Sequence, residues 1–280
     1  MNKFITSLSI IIVVYNKAIH ECESFRSILE MRTDDSNLDI FVYDNSPVSQ
    51  KINYHKGITI YYMHDPNNSG VSRAYNEGAL YAAKNKKCWV LLLDQDTLLP
   101  VNLLETCQKA VSKYPEIKLF VPVLELKSGK IFSPCRYKFK RGFYIKKISE
   151  GIHSLDKLSP VNSGMLIDIS SFIDAGGYNN NVKLDFGDFQ FIERFRKKYK
   201  YFYVLDARCI QDFSNDEVSY KSQLTRFKFF CEGARNIEKE FKSDWLTYSL
   251  LVGIRAIVLT LKHKKFSFIF TYYYSFLKSK

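Results

Sequence analysis

Asp94 and Asp96 stand two residues apart, directly after the apolar run Cys88–Leu93 (CWVLLL). Where a buried strand ends, the chain turns. Two carboxylates so placed can face one ligand, one directly and the other through a divalent cation. Mg²⁺ and Mn²⁺ favour oxygen ligands and share them readily with a diphosphate. Read alone, the same pair is a solvated turn. Two more polar clusters close apolar runs. Tyr15-Asn16 ends SIIIVVY, and Asp44-Asn45 follows LDIFVY. Asp44 suits a pyrimidine N3–H or a ribose hydroxyl as hydrogen-bond acceptor; its alternative is an Asx-turn. Asn16 either orients its loop or touches the base. Gly70 closes the turn Asn67-Asn68-Ser69-Gly70 before a helical segment. A glycine there lets the backbone approach an anion at a helix N-terminus. Asn68 or Ser69 could equally cap that helix. Arg73 could reach a diphosphate or stand in solvent.

These residues need elements to hold them. Ser9–Tyr15 is a near-continuous β-branched run, the pattern of a strand buried on both faces. The apolar N-terminus has no small-residue cleavage site and reads as part of this first strand, not as a signal peptide. Helical character follows over Ala18–Met31. Strands are expected at Leu38–Tyr43, Ile58–Met63, Cys88–Leu93 and Lys118–Val123, and helices at Val71–Asn85 and Leu103–Tyr114. The alternation predicts an α/β fold with a mostly parallel sheet and helices on both faces. Ligands of such sheets bind at the carboxyl ends of the strands, where the three polar clusters lie.

In this order and spacing, four segments resemble a known family. IIIVVYN (10–16), VYDNS (42–46), NNSGVSRAYNEGALYA (67–82) and LLLDQDT (91–97) are similar to the first strand, the nucleotide-contacting second strand, the helix start and the DxD motif of family 2 glycosyltransferases with the GT-A (Rossmann-like) fold. The DQD form resembles the rhamnosyltransferase-like branch of O-antigen and capsule enzymes. The resemblance implies donor contacts from Tyr15, Asn16, Asp44, Asn68, Gly70, Arg73, Asn76, Asp94, Gln95 and Asp96. It puts Mg²⁺ or Mn²⁺ on Asp96 and Asp94. VNSGMLID (161–168) resembles the acceptor-side segment, implying Ser163 and Gly164. In GGYNNNVKLDFGDFQFIERF (176–195), Asp188 matches the catalytic base, Asp185 the preceding acid and Arg194 the following arginine. Asp188 could also cap the helix expected over Phe189–Tyr199. Arg235 lies in a basic helix resembling one that meets a lipid-linked diphosphate, although a solvated basic face fits its composition equally. The family often carries a metal-ligating His after the next strand. Here Gln211 holds that place, with Asp212 or water left to complete the site.

The resemblance thus implies an inverting transfer of a sugar, with dTDP-rhamnose favoured as donor. A UDP-hexose or UDP-galactofuranose is the alternative. The implied acceptor is a polyprenyl-diphosphate-linked surface polysaccharide. Loss of the His supports another reading, a non-catalytic GT-A scaffold in a glycan-assembly complex. A methyltransferase would want a glycine-rich first turn, which YNKAIHE (15–21) lacks.

The net charge of +12 is concentrated. Residues 127–147 carry eight Lys/Arg and no acid, and residues 221–280 carry twelve Lys/Arg against four acids. Two basic regions on a near-neutral body call for a polyanionic surface. No helix-turn-helix, RNP or zinc pattern supports nucleic acid. The six cysteines have no CxxC spacing, so neither a zinc knuckle nor a disulfide framework is indicated. Trp245–Leu261 is strongly apolar with Arg255 inside it, and lysines and aromatics follow, the composition of a membrane–water interface. The expected organisation is a glycosyltransferase domain over 1–220 and a membrane-associating helical region over 221–280. The nucleotide-binding half would span about 1–125 and the acceptor half about 126–220. The expected place is the cytoplasmic, inner face of the cell membrane.

Overall fold

A computed structural model describes residues 2–32, 37–53, 55–211 and 219–278. The elements in chain order are α1 (Asn2–Thr6), β1 (Leu8–Val14), α2 (Glu23–Glu30), β2 (Leu38–Asp44), β3 (Ile58–His64), α3 (Val71–Lys84), β4 (Trp89–Asp94), β5 (Thr97–Leu98) and α4 (Leu103–Lys113). Then come β6 (Leu119–Leu126), β7 (Ile131–Lys138), β8 (Arg141–Ile145), β9 (Gly151–Ser154), β10 (Met165–Asp168), α5 (Ile169–Asp174), α6 (Gly187–Lys198) and β11 (Tyr201–Gln211). Three helices close the chain: α7 (Tyr220–Asn236), α8 (Lys242–His263) and α9 (Ser267–Tyr272).

The sheet runs β3-β2-β1-β4-β10-β6-β11-β5. Strands β3, β2, β1 and β4 are parallel, as are β6 and β11. The parallel order expected from the sequence is interrupted in the middle of the sheet, and β5, β7 and β9 add antiparallel pairings to its far side. β10 enters between β4 and β6, antiparallel to both. Gly164, at φ +80°, turns the chain in, and its N–H donates to Leu92 O at 2.7 Å. A Cβ on Gly164 would stand 2.5 Å from Pro122 Cγ. Two local expectations also shift. The N-terminal apolar run forms α1 ahead of the strand, burying Phe4 and Ile5. The helix expected over 18–31 breaks at Cys22, whose extended backbone separates a single turn of 3₁₀ helix from α2.

Alternation along β1 fills both faces. Ile10, Ile12 and Val14 pack with Phe25 and Ile28 of α2 and Leu103 and Cys107 of α4. Ile11 and Val13 pack with Ala74, Tyr75 and Ala79 of α3 and Phe191 and Phe195 of α6. A strand covered on both faces must be apolar throughout, which is why β1 shows no polar phase. α3 lies close because Gly78 faces Ile11. A Cβ there would come within 2.8 Å of three Ile11 carbons.

A third apolar cluster joins the C-terminal helices to the main body. Phe227, Phe230, Tyr248, Val252 and Phe268 pack with Val182 and Phe186. Phe186 adopts φ +74°, a conformation that a bulky residue reaches only when its surroundings hold it. Its ring lies 4.7 Å from Phe230 and edge-on to Tyr248 at 5.5 Å. The segment before α6 is gripped on its other side by α3. Val71 N–H donates to Lys183 O at 2.8 Å, and Ser72 Oγ to Val182 O at 2.5 Å.

Gly70 makes that seam. It sits at φ +95°, and a Cβ would lie 2.2 Å from Lys183 O. Gly70→Ala therefore forces both backbone strain and separation of two main chains. We expect a loss of about 2–4 kcal/mol in denaturant unfolding, with m unchanged.

Candidate active site

β4 carries Asp94 to the edge of the sheet, and the chain turns through Asp96 into β5. Four neighbours hold the turn. Asp94 N–H donates to Ser163 Oγ at 3.1 Å, and Ser163 Oγ lies 2.6 Å from Thr97 Oγ1. Tyr75 Oη donates to Asp94 Oδ1 at 2.7 Å, and Gln211 Nε2 to Asp96 Oδ1 at 2.9 Å. Burial pushes the Asp94 carboxyl up to about 6. Repulsion from Asp96 adds to this, while Tyr75 and Gln211 partly oppose it.

Asp188 lies in the first turn of α6, and Phe189 N–H donates to its Oδ1 at 2.8 Å. Burial raises its carboxyl to about 7. That backbone bond opposes the rise, and the charges of Asp185 and Asp94 reinforce it. Some surface of both Asp94 and Asp188 remains open, yet protein crowds each carboxyl. The charge of Asp94 acts on Asp188, so the end of β4 and the first turn of α6 are neighbours, with a cleft between them. Tyr75 and Tyr178, with ring centres 5.4 Å apart, are buried. Burial raises the Tyr178 phenol, and the charges of Asp188 and Asp94 act on it too.

Several residues expected to bind ligand also hold the scaffold. Asp44 is fully buried. Its oxygens accept from Ser46 N–H at 2.9 Å, Gln50 Nε2 at 2.8 Å and Tyr62 Oη at 2.8 Å. Burial favours its neutral form, but those bonds outweigh it and keep the carboxyl below the usual range. Gln95 clamps the end of β1, accepting from Tyr15 N–H at 2.8 Å and donating to Tyr15 O at 3.3 Å. The Tyr15 ring itself is exposed. Asn16 takes φ +51° and donates its N–H to Ser46 Oγ at 2.8 Å. Asn68 takes φ +48° within a turn capped by Asp65, which accepts from Asn67 and Ser69 N–H at 3.0 and 2.9 Å.

Gly70 meets the Lys183 main chain, so the start of α3 is closed to a phosphate by a carbonyl. Arg73 is solvent-facing and pairs with Glu77 at 3.6 Å. Asn76 pins the 176–180 turn, donating to Tyr178 O at 2.8 Å and accepting from Tyr178 N–H at 2.9 Å. Ser163 and Gly164 tie β10 to β4, Ser163 through the Asp94 N–H and Gly164 through Leu92 O. Arg194 ties α6 to Gly177 O at 2.9 Å and to Glu238 through two guanidinium nitrogens. Arg235 donates to Phe276 O at 2.7 Å within the C-terminal helices. Their donors are spent on protein oxygens. Asp212 lies outside the described residues.

Sequence reasoning missed Tyr75, Thr97, Tyr178 and Phe186. Tyr75 and Tyr178 look like ordinary core aromatics, and only the fold brings them under the acids. Asp65 could have been found, since Asp-Pro after a strand signals a capped turn.

Beside Asp188, the β7–β8 hairpin packs on α6. Tyr137 stacks on Phe189 at 4.7 Å. Lys140, at the hairpin tip, lies 2.8 Å from Glu193 of α6 and 3.4 Å from Asp244 of α8. A groove of about 1050 Å³ runs along this hairpin, lined by Arg136, Lys138, Tyr144, Lys146, Lys147 and His153. The acids do not line it. The groove contributes positive charge and exposed aromatics.

Asp94 and Asp96 fit a hard divalent cation. Both offer oxygen, and their mutual repulsion is what a cation relieves. Among the described residues no three His, Cys, Asp or Glu side chains converge. Mg²⁺ commonly keeps waters and substrate phosphate oxygens as its remaining ligands.

The central sheet flanked by helices defines an α/β fold of the GT-A kind. The family described as "Glycosyl transferase family 2" matches residues 9–164, and the chain belongs to it as a glycosyltransferase. Among solved structures, it is similar to S. aureus TarS 1-349 in complex with UDP (TM-score 0.56, 15% identity, 88% of this chain and 71% of that one). It is also similar to TarS 1-349 in complex with UDP-GlcNAc (TM-score 0.57, 14% identity, 95% and 79%). The chain spans 43% of a longer TarS chain. No curated protein matches it in sequence.

The raised Asp188 carboxyl has a stability consequence. Its proton is held more tightly in the folded chain than in the unfolded one, where such a carboxyl titrates near about 4. The stability it gives is complete below that pH and lost as pH rises through about 7. Asp188→Asn removes the titration. Its Tm relative to the parent should climb between about pH 4 and 7 and then level off, as differential scanning calorimetry would show.

Proposed function

We propose that this glycosyltransferase inverts the anomeric centre, with Asp188 as the base. The acceptor hydroxyl gives its proton to the Asp188 carboxylate. Its oxygen attacks the anomeric carbon while the bond from that carbon to the diphosphate oxygen breaks, and the nucleoside diphosphate leaves. One base and one displacement give inversion, the logic of inverting glycosidases with a hydroxyl in place of water. A carboxyl near 7 is poised to gain and lose a proton at working pH. The observation that supports the reading is the place of Asp188, in the first turn of α6 and crowded by protein, within electrostatic range of Asp94 at the end of β4. Asp94 and Asp96 would hold Mg²⁺ or Mn²⁺. That cation, when bound, neutralises charge on the leaving diphosphate. Gln211 keeps Asp96 oriented, and its amide oxygen is a neutral donor where the resembling family has an imidazole.

The motif resemblance favours dTDP-rhamnose as donor. The UDP and UDP-GlcNAc complexes of TarS favour a UDP-sugar as the second reading. Both are pyrimidine nucleoside diphosphates. The acceptor we assign is a polyprenyl-diphosphate-linked polysaccharide intermediate. The basic groove of the β7–β8 hairpin beside α6 supports this, since it suits a diphosphate and a glycan chain.

A thermal-shift panel of dTDP, UDP, GDP, CDP and S-adenosylmethionine, with and without Mn²⁺, tests the donor class. A ligand that binds only the folded chain raises Tm by mass action. We expect a rise with dTDP or UDP that grows with Mn²⁺. No rise with any nucleoside diphosphate would favour the scaffold reading, and a rise with S-adenosylmethionine alone would sink the assignment. In the same assay Asp188→Asn should retain the nucleotide shift. Its transfer rate should fall about 100- to 10,000-fold, the usual weight of a general base. Parent-like turnover in that variant removes Asp188 as base.

A further inference from the structure

α8 is the one helix among the described residues that is long and apolar enough to cross a membrane by length and composition. Its packing is one-sided. Asp244, Tyr248, Val252 and Ala256 form a buried stripe against the rest of the chain. Arg255, the charge inside the apolar run, lies over the Phe230 ring of α7 at 4.1 Å, on the protein side. The opposite face carries Leu246, Leu250, Ile254, Ile257, Val258 and Leu261, all exposed, with Ile254 at 62% and Leu261 at 72%. Their spacing of three and four is one helical stripe, and no charge interrupts it.

α9 and the turn after it extend the patch. They leave Phe266, Phe270, Tyr273, Tyr274 and Leu277 exposed. Tyr272 fastens the two elements, its Oη lying 2.8 Å from Ser249 Oγ. Two adjacent apolar stripes make a slab larger than the single exposed residues that surfaces carry as a matter of course. Its rim is cationic: Lys242 and Lys278 toward the end where Phe276 lies against Trp245, and Lys262, Lys264 and Lys265 at the other, all exposed. Lys278 reaches the Tyr273 and Tyr274 rings at 6.0 and 5.6 Å, tyrosine and ammonium meeting at one level.

We propose that the α8–α9 slab docks on an anionic lipid bilayer, lying in the interface with its axis along the surface. Apolar side chains enter the acyl boundary and the rim lysines meet lipid phosphates. A second copy of this chain would bury the apolar stripe, yet it would bring like-charged rims together. A spanning helix would strip α8 from α7 and α9 and carry Arg255 into the hydrocarbon. Charge complementarity therefore favours the anionic surface. The reading does not depend on the sugar-transfer chemistry.

The test is sedimentation of the full chain with vesicles of phosphatidylcholine alone or with 30%, on the order of natural anionic content, phosphatidylglycerol. Light scattering after gel filtration runs in parallel. We expect binding to anionic vesicles that weakens with salt. The double variant Leu250→Glu/Ile254→Glu changes only exposed positions and should keep the parent's far-ultraviolet circular dichroism. It should bind at least tenfold more weakly. Replacing Lys262, Lys264 and Lys265 by Gln should weaken anionic binding about fivefold for each charge removed, leaving the weak phosphatidylcholine binding in place. Absence of vesicle binding by the parent chain overturns the proposal, as does unchanged binding by a folded Glu/Glu variant. A parent dimer that the Glu/Glu variant dissolves, without vesicle binding, assigns the slab to a second copy instead.

Discussion

Like charges held close together and partly out of water are the constraint on which this structure turns. The charge of Asp96 acts on Asp94, and those of Asp185 and Asp94 act on Asp188, so burial and like charge both work against the ionisation of Asp94 and Asp188. Left to themselves, the loops that carry them would open toward water. The surrounding chain resists this with contacts that do not yield easily. β4 is buried on both faces, and α3 presses on the main chain at Lys183. The C-terminal helices hold Phe186 in a left-handed conformation two residues before the base. The carboxyls therefore remain within each other's field and wait for a ligand that supplies positive charge and a proton.

This explains why so many polar residues near the cleft face away from it. Asn76, Arg194, Ser163 and Gln95 would each make a plausible ligand contact, but each is committed to a backbone group of a neighbouring segment. A buried backbone carbonyl or amide needs a partner, and long loops between sheet and helix have many. The polar side chains meet that need.

The sequence made the sheet legible because a strand buried on both faces has no polar phase. The apolar runs ending at Val14, Asp44 and Asp94 leave little choice of element. Its acids were legible because motif spacing survives divergence. The insertion of β10 was not, since four residues with an apolar pattern fit either a parallel or an antiparallel place. The structural contacts of Gly70 and Arg194 were not legible for a related reason. A glycine before a helix looks the same whether a phosphate or another main chain lies against it. An arginine near an acid does not announce whether its partner is substrate or Glu238. Such distinctions depend on contacts far apart in the chain, 44 residues between Arg194 and Glu238 and 110 between Ser72 and Val182.

The main-chain contact at Gly70 has one more consequence, for divergence. Registering two loops through backbone atoms uses almost no side-chain information. A single glycine is indispensable, and its neighbours are free to drift. The residues around the mouth of the cleft can then be exchanged without displacing the acids behind them. A lineage built on this seam could change the sugar it handles or the glycan it extends while its proton-transfer geometry stays as it was.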